Sequence, residues 1–388
     1  MNQPLHATLP TPADDTPLAR LRRHMQAHGF AACLIPSADP HLSEYLPGHW
    51  QGRRWLSGFD GSVGTLAVGL QAAELWVDSR YWEQAERQLA GSGVAMRKAL
   101  PSAPGQYLES LCHLAGPGGV VAVDGDVLSA AVLGPLESVC TAQGHPLRTG
   151  IDPLAGVWQD RPALPAAPIT ALPPGVQGHE RADRMRLLRE RLQAHGAEWH
   201  FLSSLDDIAW LLGLRGSDVP YNPVFLAHLL IGPQGATLFM DAARMPAEVQ
   251  QALLADGVAL APYGDAKGAL QAMAPGCRVL IDPRRVTAGH LHALAQGVMP
   301  VQATNPCVLM KSRKSEQEAA AIRRTMVHDG LALAEFFAAL QAQLARGEAP
   351  TELDIDTQVT AARARQPGFK GPSLATIAAL NANGAMPH

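Results

Sequence analysis

Side chains able to do chemistry gather in one stretch, Trp210 to Phe225, which reads Trp-Leu-Leu-Gly-Leu-Arg-Gly-Ser-Asp-Val-Pro-Tyr-Asn-Pro-Val-Phe. Arg215 sits in a glycine-rich bend, where a fixed guanidinium can fork onto a carboxylate of a ligand or of a neighbouring domain. The plainer alternative is an Arg215–Asp218 pair that braces its own loop. Other candidates are weaker. His24 and His28 lie four apart, a spacing that can ligate a metal on a helix. No Glu sits beside His24, and Arg22 and Arg23 flank it, which fits a solvated basic helix end. His290 and His292 are two apart, so a helix aims them at different sides, and a surface position is expected for them. Asp60-Gly-Ser-Val-Gly64 resembles a nucleophile elbow but lacks its first glycine. The sequence has no Gly-Lys-Ser/Thr phosphate loop and no Gly-x-Gly-x-x-Gly fingerprint. Asp78 and Asp241 each end a strand-like run, where an Asp caps the following helix or binds a neighbouring Arg. His388 follows Pro387, and nothing local marks it as functional.

These residues need a scaffold, and the bulk properties bound it. The chain has 388 residues, of which 47% are hydrophobic and 17% charged, with a net charge of −4. That length exceeds what one hydrophobic core supports, so two or three domains are expected. The charge gives no reason to expect nucleic acid or an anionic membrane as a partner. No apolar run approaches the roughly 20 residues of a membrane helix, and the start lacks a basic segment followed by an apolar one. A cytoplasmic chain is expected. Cys33, Cys112, Cys140, Cys277 and Cys307 have no zinc-like spacing and are expected to be reduced and mostly buried.

The elements fall in an order that occurs twice. Thr16 and Pro17 open a helix with Leu18, Leu21 and Met25 on one face, and Gly29 ends it. Phe30 to Ile35 reads as a buried strand, and Thr65 to Val68 with Glu74 to Val77 as a hairpin around Gly69. Helix-like and strand-like runs then alternate to Ala142. Arg186 to Gly196 repeats the pattern of Arg20 to Gly29. Trp210 to Ser217 repeats Trp55 to Ser62, matching at the Trp, the Leu, both glycines and the Ser. Thr237 to Asp241 stands opposite Glu74 to Asp78, and Arg278 to Asp282 opposite Val120 to Asp124. Four matches in one order make two copies of one α/β module.

The expected organisation is a flexible leader over 1–15, a first α/β domain over 16–160 and a stiff Pro-rich surface linker over 161–178. A second α/β domain, duplicate of the first, follows over 179–308, and the start of a third over 309–388. In the third, Ser315-Glu-Gln-Glu318 is a capping box opening a long helix to Gly347. A second helix begins after Thr351 and stops at Gln366-Pro367-Gly368. Leu374 to Ala379 reads as a strand, Asn383-Gly384 as a hairpin turn, and a return strand as reaching His388. Two helices and a strand pair do not complete a domain, so this one is expected to be cut short.

The string Leu205-Asp-Asp-Ile-Ala-Trp-Leu-Leu-Gly-Leu-Arg-Gly-Ser-Asp-Val-Pro220 strongly resembles the cytosolic Xaa-Pro aminopeptidases, the aminopeptidase P group of creatinase-fold metallopeptidases. The likeness runs through Ile35 to Tyr45, Ser57 to Ser62, Val77 to Tyr81, Trp158 to Pro162 and Lys314 to Glu316, into Arg324 to Ala332. It implies two creatinase-N-terminal-like α/β domains followed by a pita-bread α+β catalytic domain. It also implies release of the N-terminal residue from small peptides with proline second. Water activated by two divalent ions, usually manganese, would do this, with no nucleic acid or membrane partner. A homodimer is compatible with it.

The family's metal ligands, two Asp, a His and two Glu, all lie beyond the segment that Gly371 to His388 resembles. None has a counterpart here. By resemblance His388 is the family's substrate-side histidine, and Arg215 is placed at the substrate mouth. The chain as given is therefore expected to hold no metal tightly and to be inactive alone. A prolidase or creatinase, or a metal-free binding scaffold, are the alternatives.

Overall fold

The structure is a computed structural model that describes residues 15–173 and 175–385. The leader expected over 1–15 lies outside the described residues, apart from Asp15. The chain divides into two compact units, residues 1–39 with 48–163, and residues 40–47 with 164–388.

The first unit begins as its capping signals predict. In α1 (Pro17–His28) the Thr16 hydroxyl accepts from the Ala19 N–H and Pro17 takes the first helical position. Gly29 closes the helix in the left-handed region at φ 71°, where a Cβ would be strained. There follow β1 (Ala32–Pro36), α2 (Gly52–Ser57), β2 (Thr65–Gly69), β3 (Ala73–Val77), α3 (Trp82–Gln88) and β4 (Ala95–Lys98). Next come α4 (Gln106–Ala115), β5 (Val121–Val123), α5 (Ala130–Ala142) and β6 (Leu147–Arg148). The strands form one six-stranded sheet in the order β4-β3-β2-β1-β5-β6. β1, β2 and β3 pair antiparallel, and the outer pairings are parallel. The apolar faces of α1 and the central strands meet in a core of Leu21, Met25, Cys33, Leu66 and Leu75, all fully buried.

The second unit holds β7 (Thr170–Ala171), α6 (Arg181–Ala194), β8 (Trp199–Leu202), α7 (Leu205–Leu212), β9 (Leu214–Arg215), β10 (His228–Ile231) and β11 (Ala236–Phe239). α8 (Ala247–Ala255), β12 (Val258–Ala261), α9 (Ala266–Gln271), β13 (Arg278–Ile281), α10 (Ala288–His292) and β14 (Met299–Gln302) follow. Its large sheet runs β12-β11-β10-β8-β13-β14, which repeats the first sheet strand for strand. The antiparallel and parallel pairings repeat as well. The duplication read from sequence is therefore a duplication of topology. Its core is built from Phe201, Leu270, Val279, Ile281 and Val286.

Much of the Pro-rich stretch lies on the surface, with Pro162, Pro168 and Pro173 exposed, but it is anchored part-way along. Ile169 is fully buried, its N–H donates to the Arg244 carbonyl, and β7 pairs with β9. From residue 164 on, the stretch belongs to the second unit, held there at Ile169 and at β7.

After α11 (Pro306–Ser312), the Ser315–Glu318 capping box opens α12 (Glu316–Ala345), with both reciprocal bonds present. A second box, Thr351 with Asp354, opens α13 (Glu352–Ala364). Their contact buries only Ala332, Phe336, Val359 and Ala362. Met326, Val327, Leu331 and Phe337 stay exposed. The expected strand at Leu374–Ala379 is absent. An apolar run becomes a strand only where a ladder partner exists, and Leu374 and Ile377 are 50% and 64% exposed with no strand beside them among the described residues. Asn383-Gly384 makes no hairpin either, because Asn381–Ala385 is a 3-10 turn whose Asn383 amide donates to the Glu352 carboxylate. The end of the expected return strand, at 386–388, lies outside the described residues.

Candidate functional site

The two signature motifs share one backbone device and differ in what it carries. α2 and α7 both end on a left-handed glycine, Gly58 at φ 74° and Gly213 at φ 69°. Three residues on, Gly61 and Gly216 admit close approach: a Cβ would lie 2.3 Å from the Phe59 ring in one and 2.7 Å from Phe225 Cβ in the other. Between the glycines the copies diverge. In the first, Asp60 accepts from the side-chain amides of Gln84 and Gln88. In the second, the matching residue is Arg215.

Arg215 does not pair with Asp218. Its guanidinium turns back onto the end of α7 and donates to the Ala209 and Leu214 carbonyls at 3.1 and 2.8 Å. Burial lowers its pKa from the ordinary arginine value, against the pull of Glu318. Glu318 closes the α12 capping box and also lies 3.4 Å from the Trp210 indole nitrogen. Arg184 donates to the Leu211 carbonyl, and its guanidinium stands 5.9 Å from the centre of the Trp210 ring. The motif thus ties α7, α6 and the start of α12 together.

Asp218 pairs instead with Arg244, at 2.6 and 2.7 Å to its two oxygens, and both side chains are almost wholly buried. The carboxylate accepts a further bond from the Leu226 N–H at 2.7 Å. Backbone bonds from Gly216 to Pro223 and from Asp218 to Val224 close the loop. At its tip Pro220, Tyr221, Asn222 and Pro223 are exposed. Tyr221 holds φ at 61° and packs edge-on against Tyr45, ring centres 5.3 Å apart. Tyr45 belongs to the 40–47 segment, whose Leu42 also has a positive φ, 54°.

That segment is also held by a buried histidine cluster. His41 Nδ1 donates to the Ser203 carbonyl at 2.9 Å, and its Nε2 lies 2.8 Å from the Tyr263 hydroxyl. His228 stacks on His41 with ring centres 4.5 Å apart and meets Ser203 Oγ at 2.9 Å. His290 lies 4.5 Å from the His228 ring centre and 2.7 Å from Thr287 Oγ1. Burial, then the charges of neighbouring His41 and Lys267, pulls His290 down to about 3, and His228 well below the usual histidine range. His290 is therefore a core residue, contrary to the surface position its spacing suggested. Sequence spacing could not show this, since the ring is enclosed by Phe201 and His228 from distant strands.

Among the described residues no group of three or more His, Cys, Asp or Glu side chains is disposed to hold a metal ion. In the histidine cluster both His41 nitrogens and one nitrogen of each other ring already have partners. The described residues do not fit a dinuclear centre. His388 lies outside them. Asp78 and Asp241 take the structural roles expected: Asp78 pairs with Arg80 and Asp241 caps the Ala243 N–H. His24 and His28 stack on an exposed helix end, His28 against the His24 carbonyl. Cys33, Cys112, Cys140 and Cys307 are buried thiols and Cys277 is half-buried. No described helix is long and apolar enough to cross a membrane.

Comparison with known proteins accounts for the duplicated architecture. Models of the creatinase/prolidase N-terminal domain match residues 17–148 and again residues 160–318. The chain is 30% identical to aminopeptidase P2 of Arabidopsis thaliana, over 96% of this chain and 57% of that protein. It is 32% identical to a probable Xaa-Pro aminopeptidase P of Ajellomyces dermatitidis, over 96% of this chain and 62% of that one. The chain therefore spans about three fifths of the length of these curated relatives. An X-prolyl aminopeptidase from Caenorhabditis elegans, described as a cytosolic enzyme with a di-nuclear active site, shares the fold with a TM-score of 0.89. That likeness is at 24% identity and covers 96% of this chain and 64% of that one.

Proposed function

Because this chain belongs to the creatinase/prolidase family, carrying two N-terminal domains of that family in tandem, we propose that it serves a Xaa-Pro aminopeptidase. The reaction is release of the N-terminal residue from small peptides with proline second. The observation that carries this reading is the likeness to curated aminopeptidases over 96% of the chain, through both α/β domains and on into α12 and α13. The Asp218–Arg244 pair and the closed loop around it give that reading a rigid edge from which substrate could be met.

The activity implies two divalent ions, manganese by resemblance, and the described residues supply no place for them. Residues 1–388 alone are accordingly proposed to be inactive. Manganese titration by calorimetry should show no tight uptake, and a Xaa-Pro dipeptide should stay intact beside it. Stoichiometric tight binding, or release of free proline, would overturn that proposal. The nucleotide sequence past codon 388 tests the wider reading. An open frame with the Asp, Asp, His, Glu, Glu series supports it, and an immediate stop codon sinks it in favour of a non-catalytic scaffold.

Two residue roles go with the proposal. By resemblance His388 is the substrate-side histidine, and Arg215 shapes the mouth by holding the end of α7 in place. In an active polypeptide Arg215→Ala should then raise KM, and unchanged kinetics would leave Arg215 a purely local brace. The domain limits at 160, 178 and 308, a cytoplasmic location and a homodimer belong to the same proposal.

A further inference from the structure

We propose that Cys112 and Cys140 form a modification site that a peroxide closes into a disulfide, clamping α5 onto α4. The two sulfurs touch at 3.7 Å although the residues are 28 positions apart in sequence, and both side chains are almost wholly buried. Cys112 shares the buried stripe of α4 with Leu108 and Leu111, and Cys140 that of α5 with Leu133 and Leu136. α5 packs chiefly on α4, and the thiol pair lies in that contact. A disulfide holds its sulfurs about 2.05 Å apart, so the pair falls short of a bond by roughly 1.7 Å. Rotation about one Cα–Cβ bond carries a sulfur further than that. Leucines fill the rest of the contact, and an apolar side chain at either place would serve packing equally. What two touching thiols add is the capacity to bond.

While α5 is docked, the pair is protected. Burial raises the Cys112 thiol, against the hydrogen bond from Cys140, and burial together with Cys112 pushes the Cys140 thiol up to about 12. Both therefore stay protonated, and the thiolate is the reactive form. α5 is built to loosen. Pro135 in its middle has no N–H to give the Ala131 carbonyl, and the adjoining Gly134 is a poor helix former. Both are exposed. A helix with a missing bond, held mainly by one neighbour, opens at lower cost than the sheet beneath it.

Once opened, the Cys112 sulfur attacks one peroxide oxygen. The O–O bond breaks, a sulfenic acid forms, and the departing hydroxide takes the thiol proton to become water. As α5 docks again, the Cys140 sulfur attacks the sulfenic sulfur. The S–S bond forms, the S–O bond breaks, and the hydroxide leaves with the Cys140 proton as a second water. The two thiols are oxidised by one electron each, and the peroxide is reduced to water. None of this depends on the aminopeptidase reading.

The test exposes residues 1–388 to hydrogen peroxide without denaturant, then counts thiols by alkylation in denaturant. The reduced chain takes up five alkyl groups and the oxidised chain two fewer. An unreduced peptide map should show the Cys112 and Cys140 peptides joined, and dithiothreitol should restore every thiol. Tm of the oxidised chain should rise by about 5 °C, because the bond restricts a long loop in the unfolded state. Cys140→Ala should abolish both the paired thiol loss and the rise. The proposal is overturned if all thiols survive the peroxide, if the bond joins other cysteines or two chains, or if dithiothreitol does not reverse the oxidation. A Cys112–Cys140 bond that leaves Tm unchanged or lower would equally overturn it, by removing the clamp.

Discussion

With its carboxylate wholly buried, Asp218 depends on the Arg244 guanidinium and one backbone N–H. Removing one partner of a buried pair strands the other charge, so Arg244→Ala should cost about 3–5 kcal/mol of stability. Arg244→Lys should restore only part, since one ammonium cannot meet both Asp218, as Nη2 does, and the Ala167 carbonyl, as Nε does. Urea denaturation measures both. The histidine cluster sets a second expectation. His228 and His290 are held below the ordinary value, so the unfolded chain binds protons that the folded chain refuses. Their contribution is present above the unfolded value of about 6.5 and is lost as pH falls from there toward the folded values. Stability should drop as pH falls from 6.5 toward about 3, and His290→Gln, which keeps a polar partner for Thr287, should flatten that slope. An equal slope in the variant would clear His290 of the effect.

Elements were legible wherever their signal was local. Thr16 with Pro17, Gly29 as the helix stop, and Ser315 with Glu318 all act within four residues, and each lies where the sequence put it. What stayed hidden needs a partner from far along the chain. Asp218 was weighed against Arg215, three residues away, while its true partner is Arg244. Leu374 to Ala379 has strand composition but no neighbouring strand. His290 has surface spacing but a core position. The same reasoning applies to α12 and α13, whose capping is local and sound but whose mutual contact buries four side chains. Helices hold in water chiefly through packing, and local stability follows buried contacts. Amide hydrogens of 316–364 should therefore exchange faster than those of β1 and β8. Protection equal to the central strands would show that this pair of helices has stabilisation beyond the contacts described.

At the scale of the whole chain, two sheets of one topology each carry their own apolar core, Leu21 to Leu75 in one and Phe201 to Val286 in the other. Separate cores seldom melt as one cooperative block unless a large apolar interface joins them. Scanning calorimetry should resolve two transitions, and Arg244→Ala should shift only one. A single transition with equal calorimetric and van't Hoff enthalpies would contradict this. The family was readable from sequence because its signature strings, such as Leu214 to Pro220, are short and contiguous. The site was less so, because Asp218 and His290 take partners from distant parts of the chain.

Two like sheets in one polypeptide also pose a hazard while the chain is still being made, since a strand of one copy could enter the other's ladder. The middle strands differ at one buried position. Cys33 in β1 faces Ala122 across its parallel pairing, and His200 in β8 faces Leu280 in the equivalent place. His200 donates from Nδ1 to the Leu280 carbonyl and sets Nε2 against Asn305 Oδ1, 3.1 Å away. Asn305 has no equivalent beside Cys33, where the surroundings are apolar and burial pushes the thiol up to about 12. A β8 strand misplaced into the first sheet would set an imidazole in an apolar slot. One histidine thus makes the two middle strands chemically unlike at the same ladder position.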